Sequence, residues 1–163
     1  MPLGIVFDLE GVLIDELPPG NAHPEFMEVL LRARYDFDST TLWTMAGMEQ
    51  GTAGLVEFLD VGSVLTLFDR IILGIINHET MEHHFEYADL EQGRLVRTGK
   101  IYSFVGDNVR KNLGELGNPK DYVLIEDNKY GFPDERVVRM PSWPANNDPL
   151  SLSKAYEQAL QKF

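Results

Sequence analysis

The sequence predicts an α/β fold, a doubly wound parallel sheet of about five strands in a single domain. Short apolar runs alternate along the chain with segments whose apolar residues recur every three or four positions, which is the order of a parallel sheet and its crossover helices. Two of these runs, Leu3–Phe7 and Tyr122–Ile125, end directly in acidic residues. Buried parallel strands that stop at polar residues are typical of a sheet with a ligand site at its carboxyl edge.

The first half of the chain is predicted to form three strands and two helices. Strands are predicted at Leu3–Phe7, Thr41–Ala46 and Phe68–Ile76, although the length of the last segment would also allow a helix. Helices are predicted at His23–Arg34 and at Thr52–Leu59. The first helix has a proline near its start and one apolar face, made of Phe26, Val29, Leu30 and Ala33.

The second half is less regular. Residues 77–98 show no clear period, and glycines within and after this segment indicate a short hairpin or an excursion from the sheet, a small insertion in the single domain 1–163. Four further elements follow: a helix at Val109–Leu116 ended by Gly117, the strand Tyr122–Ile125, a short strand at Arg136–Met140 and a closing helix at Ser151–Phe163.

Composition excludes several classes of function. The 163 residues carry a net charge of −12, which disfavours binding to nucleic acid. There is no cysteine, so any metal must be bound by oxygen or imidazole. The apolar start of the chain is too short for a signal sequence or a membrane span, so we expect a cytoplasmic, soluble protein. In so acidic a protein, a phosphate site would need a bound cation or a few focused basic side chains.

Polar residues at predicted strand ends, together with one lysine, form a candidate catalytic set. Ligands of parallel sheets bind beyond the carboxyl ends of the strands. Acids from two strand ends can share one Mg²⁺, an aspartate can attack phosphorus, and a second carboxylate can transfer a proton. A hydroxyl and an ammonium then offset the charge of the phosphoryl oxygens. The residues are Asp8 with Glu10, Thr44, Lys111 (with Arg110 and Lys100 as alternatives), and Glu126 with Asp127.

The segment from Phe7 to Leu13, Phe-Asp-Leu-Glu-Gly-Val-Leu, resembles the first motif of the haloacid dehalogenase superfamily. Thr44 resembles its second motif. The segments Lys111–Gly117 and Val123–Asn128 resemble the third and fourth motifs of the small carboxy-terminal-domain phosphatase-like branch, with an ungapped spacing between Lys111 and Asp127. The resemblance covers nearly the whole chain and is weakest across residues 62–105.

This resemblance implies a Mg²⁺-dependent phosphatase with little or no cap domain, acting through an aspartyl-phosphate on a phosphoprotein or a small phosphorylated metabolite. Its implied roles are nucleophile for Asp8 and general acid/base for Glu10. Phosphate would be bound by Thr44, Met45 and Lys111. The implied metal ligands are Asp8, the Glu10 backbone carbonyl and Asp127, with Glu126 as the alternative to Asp127 and Asn128 as an indirect ligand.

Two departures from the family pattern leave an alternative open. Glu10 stands where the family usually has aspartate, and Asn128 is followed by Lys129-Tyr130 instead of Ser-Pro. The alternative is a catalytically weak phosphate-binding or protein-interaction module on the same fold. A receiver domain is disfavoured, because receivers carry their phosphorylated aspartate on the third strand.

Three histidines close in sequence offer a different metal site. His78, His83 and His84 lie near Glu79 and Glu82. On a helix, however, no pair of these histidines would share a face. A polar, solvated segment is therefore the favoured interpretation.

Overall fold

The computed structural model describes residues 3–15, 21–45, 64–77, 79–80, 82–91, 94–102, 104–105, 108–127 and 131–163. Helix α1 spans Phe26–Asp36 and helix α2 spans Ser151–Leu160. The strands, in chain order, are β1 Gly4–Phe7, β2 Ser39–Thr44, β3 Arg70–Asn77, β4 Glu82–Glu91, β5 Arg94–Ile101, β6 Phe104–Val105, β7 Asn108–Val109, β8 Lys111–Asn112, β9 Tyr122–Glu126, β10 Gly131–Phe132 and β11 Val137–Arg139.

Seven strands form one sheet in the order β11-β9-β1-β2-β3-β4-β5. The five strands from β11 to β3 are parallel, and β4 and β5 extend the sheet in antiparallel pairing. The chain leaves β1 towards β2 on one side and comes back to β9 on the other. This reversal makes a crevice at the carboxyl end of β1, where open α/β sheets bind their ligands. The predicted α/β class with a mostly parallel sheet is confirmed.

Both described helices pack on the same face of the sheet. Side chains along a strand alternate between faces, so Ile5 and Phe7 join the core formed with α1 and α2, while Val6 joins a second core with Trp43. The four residues predicted for the inner face of the first helix are all buried. Helix α1 begins at Phe26 instead of His23, because the His23 ring accepts the N–H of Glu25 and the His23 carbonyl accepts the N–H of Phe26, which makes a turn ahead of the helix.

The second face of the sheet is covered in part by Leu113 and Leu116, which pack against the core of Val6 and Trp43. The helix predicted at residues 52–59 lies outside the described residues. Winding of helices over both faces therefore stays a prediction. Neither described helix is long and apolar enough to cross a membrane.

The helix predicted at Val109–Leu116 is wrong. This stretch contains the end of β7, the two residues of β8 and one 3-10 turn at Leu113–Glu115. The Asn112 side chain accepts the backbone N–H of Gly114, which favours a turn over a continuing helix, and glycine is itself a poor helix former. Lys111 consequently lies on an extended segment, not on a helix.

The described parts of residues 77–98 form a hairpin, and the predicted alternative of an excursion from the sheet is wrong. Its two long strands, β4 and β5, continue the sheet beyond β3. The solvated interpretation of the histidines is wrong for His84, which is buried with Nε2 3.3 Å from the Glu86 carboxylate. The period of a strand is two, so His84 and Glu86 share a face that helical spacing did not reveal. His78 lies outside the described residues.

A buried histidine at the start of α1 predicts a pH dependence of stability. His23 is 1% exposed; its Nδ1 accepts the Glu25 N–H and its Nε2 lies 2.9 Å from Ser151 Oγ. Burial lowers the pKa of His23, against the opposing charges of Glu25 and Asp148. The unfolded chain therefore binds a proton that the folded chain does not, and the free energy of unfolding should fall as the pH falls through about 6.5.

Urea unfolding from pH 7.5 to 5.5, with His23→Gln for comparison, measures this effect. The Gln variant can still make hydrogen bonds but cannot titrate, so its unfolding free energy should change less across this range. Equal slopes for the two proteins would contradict the role given to His23.

Candidate functional site

The site forms where β1 ends between its two neighbours. Asp8 directly follows β1, and its N–H donates to Ile125 O at 3.0 Å, so it continues the pairing with β9. Because Phe7 pairs with Ile125, Asp8 stands beside Glu126, the last residue of β9. Both acids are buried, at 6% and 0% exposed. Two carboxylates are thus held side by side in the crevice.

Lys111 connects these two acids. Its ammonium Nζ donates to Asp8 Oδ1 at 2.7 Å and to Glu126 Oε2 at 2.5 Å, and the whole side chain is 0% exposed. The extended backbone at Lys111 pairs with Gly131 of β10, and Leu113 anchors the following turn in the second core. Removing a lysine from water costs several kcal/mol, so its ion pairs and hydrogen bonds must compensate for the burial.

Asp127 completes the group from the other side of Glu126. Its N–H donates to Glu126 Oε1 at 3.1 Å, and its Oδ2 accepts the Ser142 hydroxyl at 2.7 Å. Its Oδ1 is buried and, when the Asp8 and Glu126 carboxyl groups are ionised, it has no donor among the described residues. A buried carboxylate oxygen without a donor is costly unless something else binds it.

Asp8, Glu126 and Asp127 could hold a metal ion. One oxygen from each lies within 4.8 Å of the others, and within the described ranges this is the one cluster of three or more acids, histidines or cysteines. Ionised, the three carboxylates and the Lys111 ammonium carry a net charge of −2, which one divalent cation neutralises. An all-carboxylate donor set suits a hard cation such as Mg²⁺.

The pKa values of the group reflect this excess of negative charge. Burial raises the pKa of Asp8 well above 3.8, and the Glu126 charge adds to the increase while Lys111 opposes it. Burial alone would lower the pKa of Lys111, but the charges and hydrogen bonds of Asp8 and Glu126 outweigh it and raise the value. Burial would also raise the pKa of Asp127, but interactions with the neighbouring Glu126 and Asp8 carboxyl groups and the hydrogen bond from Ser142 lower it. A cation at the site would favour the ionised form of Asp8.

The other predicted site residues lie at the ends of β1 and β2. Thr44 ends β2, the neighbour of β1, and is buried; Met45 follows it and is partly buried. Glu10 lies two residues beyond Asp8, partly buried, with its backbone bridged to Ile14, and its carboxylate is outside the acid cluster. Asn128 lies outside the described residues. The structure therefore brings together Asp8, Lys111 and Asp127.

Glu126 has a larger part in the site than the sequence analysis gave it. The sequence presented it as the alternative metal ligand to Asp127, yet its two oxygens accept from Lys111 and from the Asp127 backbone. Of these two adjacent acids, Asp127 is therefore the one with a carboxylate oxygen that could bind a metal ion. The signal was present in the sequence as adjacent acids at a strand end, but periodicity could not show that Lys111 would meet the first of them.

Comparisons with protein-family models, with curated proteins and with solved structures find no match for this chain. Any function proposed for it must therefore be supported by its own residues.

Proposed function

We propose that the chain is a Mg²⁺-dependent phosphohydrolase in which Asp8 accepts the phosphoryl group of a phosphomonoester. The observation that carries the proposal is the buried Lys111 ammonium bonded to both Asp8 and Glu126, beside the donor-free oxygen of Asp127. Phosphoryl transfer through an enzyme-bound phosphate requires a nucleophilic carboxylate, a positively charged side chain and a carboxylate that can bind a metal ion, and Asp8, Lys111 and Asp127 are groups of these three kinds. The substrate class stays as the resemblance implies, a phosphoprotein or a small phosphorylated metabolite.

The cation would be held by Asp8, Asp127 and the backbone carbonyl of Glu10. The donor set fits Mg²⁺, because carboxylate and carbonyl oxygens are its usual protein ligands and the site needs two positive charges. When bound, the cation supplies charge neutralisation for the phosphoryl oxygens. Glu126 is better suited to orient Lys111 than to bind metal, since both its oxygens already accept hydrogen bonds.

The protein's own groups perform the transfer. An Asp8 oxygen attacks phosphorus in line, the bond from phosphorus to the leaving oxygen breaks, and the phosphoryl group becomes an acyl phosphate on Asp8. Lys111 and Thr44 offset the charge of the phosphoryl oxygens, with a backbone contact at Met45. Because Lys111 already bonds Asp8 Oδ1, it fixes the orientation of the nucleophile before substrate binds.

Glu10 is assigned the proton transfers. Its carboxyl protonates the leaving oxygen in the first step and deprotonates a water in the second, and this water hydrolyses the acyl phosphate and frees Asp8. Glu10 lies on the turn after β1, two residues from the nucleophile and outside the acid cluster.

The metal assignment is tested by Mg²⁺ titration of aryl phosphate hydrolysis. Asp127→Asn exchanges a charged oxygen ligand for a neutral one, so we expect the Mg²⁺ concentration for half-maximal rate to rise by on the order of 10-fold or more. Glu126→Gln is the matched control and should raise it less, because the Glu126 oxygens bind Lys111 and the Asp127 N–H. An effect confined to Glu126→Gln would make Glu126 the ligand. A parent protein that is inactive with and without Mg²⁺ would favour a phosphate-binding module.

The role of Glu10 predicts a dependence on the leaving group. Glu10→Gln should lower turnover of alkyl phosphates by about 10²- to 10⁴-fold. The deficit should shrink for aryl phosphates, whose leaving groups hardly need a proton, and the acyl phosphate should accumulate. Glu10→Asp should keep activity if the shorter side chain still reaches. Parent rates for the Gln variant on alkyl phosphates would remove Glu10 from this role.

A further inference from the structure

The Asp127 carboxylate is held in one orientation by two residues that the proposed mechanism does not use. We infer that Gly11 and Ser142 are positioning residues, which hold Asp127 Oδ2 so that Oδ1 is presented to the cation. The inference rests on the proposed function in one respect, that a cation binds at Asp127. It goes beyond that function by assigning metal affinity to two residues that are not ligands.

Ser142 fixes one oxygen of the carboxylate. Its hydroxyl donates to Asp127 Oδ2 at 2.7 Å, a short hydrogen bond to a charged acceptor. Oδ1 is the oxygen left buried without a donor. Residues that hydrogen-bond a metal-binding carboxylate set its orientation and its basicity.

Gly11 provides the space in which Oδ2 sits. A Cβ added to Gly11 would lie 2.1 Å from Asp127 Oδ2 and 2.8 Å from Asp127 Cγ, distances that non-bonded atoms cannot adopt. Its φ of +81° is also in the region that favours glycine. A side chain at position 11 and the observed Asp127 carboxylate therefore exclude each other.

The turn that carries Gly11 is too constrained to move aside. The Gly11 N–H donates to Ile14 O at 2.9 Å, and the N–H groups of Leu13 and Ile14 both donate to Leu9 O. Leu9, Leu13 and Ile14 are at most 1% exposed. With the turn fixed in the core, a clash at Gly11 would displace Asp127, which is partly exposed.

Ser142 and Gly11 also depend on each other. Trp143, the residue after Ser142, donates its N–H to Gly11 O at 2.8 Å, so the segment that bonds Oδ2 is joined to the turn that makes room for it. The Trp143 ring lies 4.4 Å from that of His23, which holds the same segment against the start of α1. The Asp127 orientation is thus set by contacts between three separate parts of the chain.

Direct measurement of Mn²⁺ binding by electron paramagnetic resonance tests the inference without relying on catalysis. Mn²⁺ serves as the probe because it takes the same oxygen ligands as Mg²⁺ and its free and bound signals differ. Ser142→Ala should weaken Mn²⁺ binding by about 10- to 100-fold, the usual effect of losing a partner of a ligand. Ser142→Thr keeps the hydroxyl and should bind like the parent. Gly11→Ala should weaken binding at least as much as Ser142→Ala.

Ser153→Ala is the matched control, because it removes a serine hydroxyl of α2 that donates to Leu150 O, just before the helix, and should leave Mn²⁺ affinity unchanged. If Gly11→Ala does not fold by circular dichroism, the Ala and Thr variants at Ser142 decide alone. Parent-like affinity in Ser142→Ala overturns the inference and leaves the proposed function standing. A parent protein that binds no Mn²⁺ overturns both.

Discussion

Asp8→Asn is expected to abolish phosphatase turnover while the fold persists. The substitution keeps the shape of the side chain but removes the charge and the nucleophilic oxygen, and loss of a catalytic nucleophile can cost as much as about 10⁶-fold in rate. The buried Lys111 ammonium would still be paired with Glu126, so no charge is left without a partner. Phosphatase assay and circular dichroism together measure the two halves of this expectation.

Asp134→Asn provides the control, since it makes the same chemical change at a carboxylate whose side chain is 78% exposed. It should retain parent activity. An Asp8→Asn protein that kept more than a few per cent of the parent rate would remove Asp8 from the nucleophile role, and loss of folded structure in that variant would make Asp8 a structural residue.

Lys111→Met is expected to inactivate the protein and also to destabilise it. Methionine fills a similar volume, but Asp8 and Glu126 would then be buried without their shared cation. Breaking a buried ion pair from one side typically costs about 3–5 kcal/mol of unfolding free energy. Urea unfolding monitored by circular dichroism measures the loss, and aryl phosphate hydrolysis measures the catalytic effect.

Lys120→Met is the control for removal of a lysine, because Lys120 is exposed and should tolerate the change. The double variant Lys111→Met/Glu126→Gln removes one of the stranded charges, so its loss of stability should be smaller than the sum of the two single losses. Additive losses would show that Lys111 and Glu126 do not stabilise each other.

The parallel part of the fold was predictable because its signal is local. A strand buried on both faces is a short apolar run, and β1, β3, β9 and β11 arise from such runs, while β2 places Leu42 and Trp43 among β-branched threonines. The α1 face was equally readable from its three- and four-residue spacing. The predicted and observed ends of these elements differ by a few residues. At His23, for example, side-chain and backbone hydrogen bonds make a turn ahead of the helix.

The non-parallel part depended on information that periodicity does not carry. The β4–β5 hairpin is stabilised by pairing with β3. Its residues show no clear period of their own, so the hairpin could not be assigned without knowing that β3 lies beside it. Residues near Lys111 have apolar spacing compatible with a helix, but the Asn112 cap and the burial of Lys111 between two acids favour an extended segment and a turn.

The candidate site was predictable in its residues and not in its contacts. Asp8, Lys111 and Asp127 could be chosen because they follow strand ends or match the family's spacing, and they do meet. That Glu126 shares Lys111, and that Ser142 bonds Asp127 from 15 residues away, depends on how the segments pack. Long-range hydrogen bonds of this kind leave no trace in the sequence of one chain.

The central claim, that Asp8 accepts a phosphoryl group, is tested most directly by rapid quenching of the Glu10→Gln protein with a ³²P-labelled aryl phosphate and Mg²⁺, followed by peptide mapping. We expect an acid-stable, hydroxylamine-labile label on the peptide that contains Asp8, and no label in the Asp8→Asn protein. Turnover without any covalent label, or a label on another residue, would contradict it.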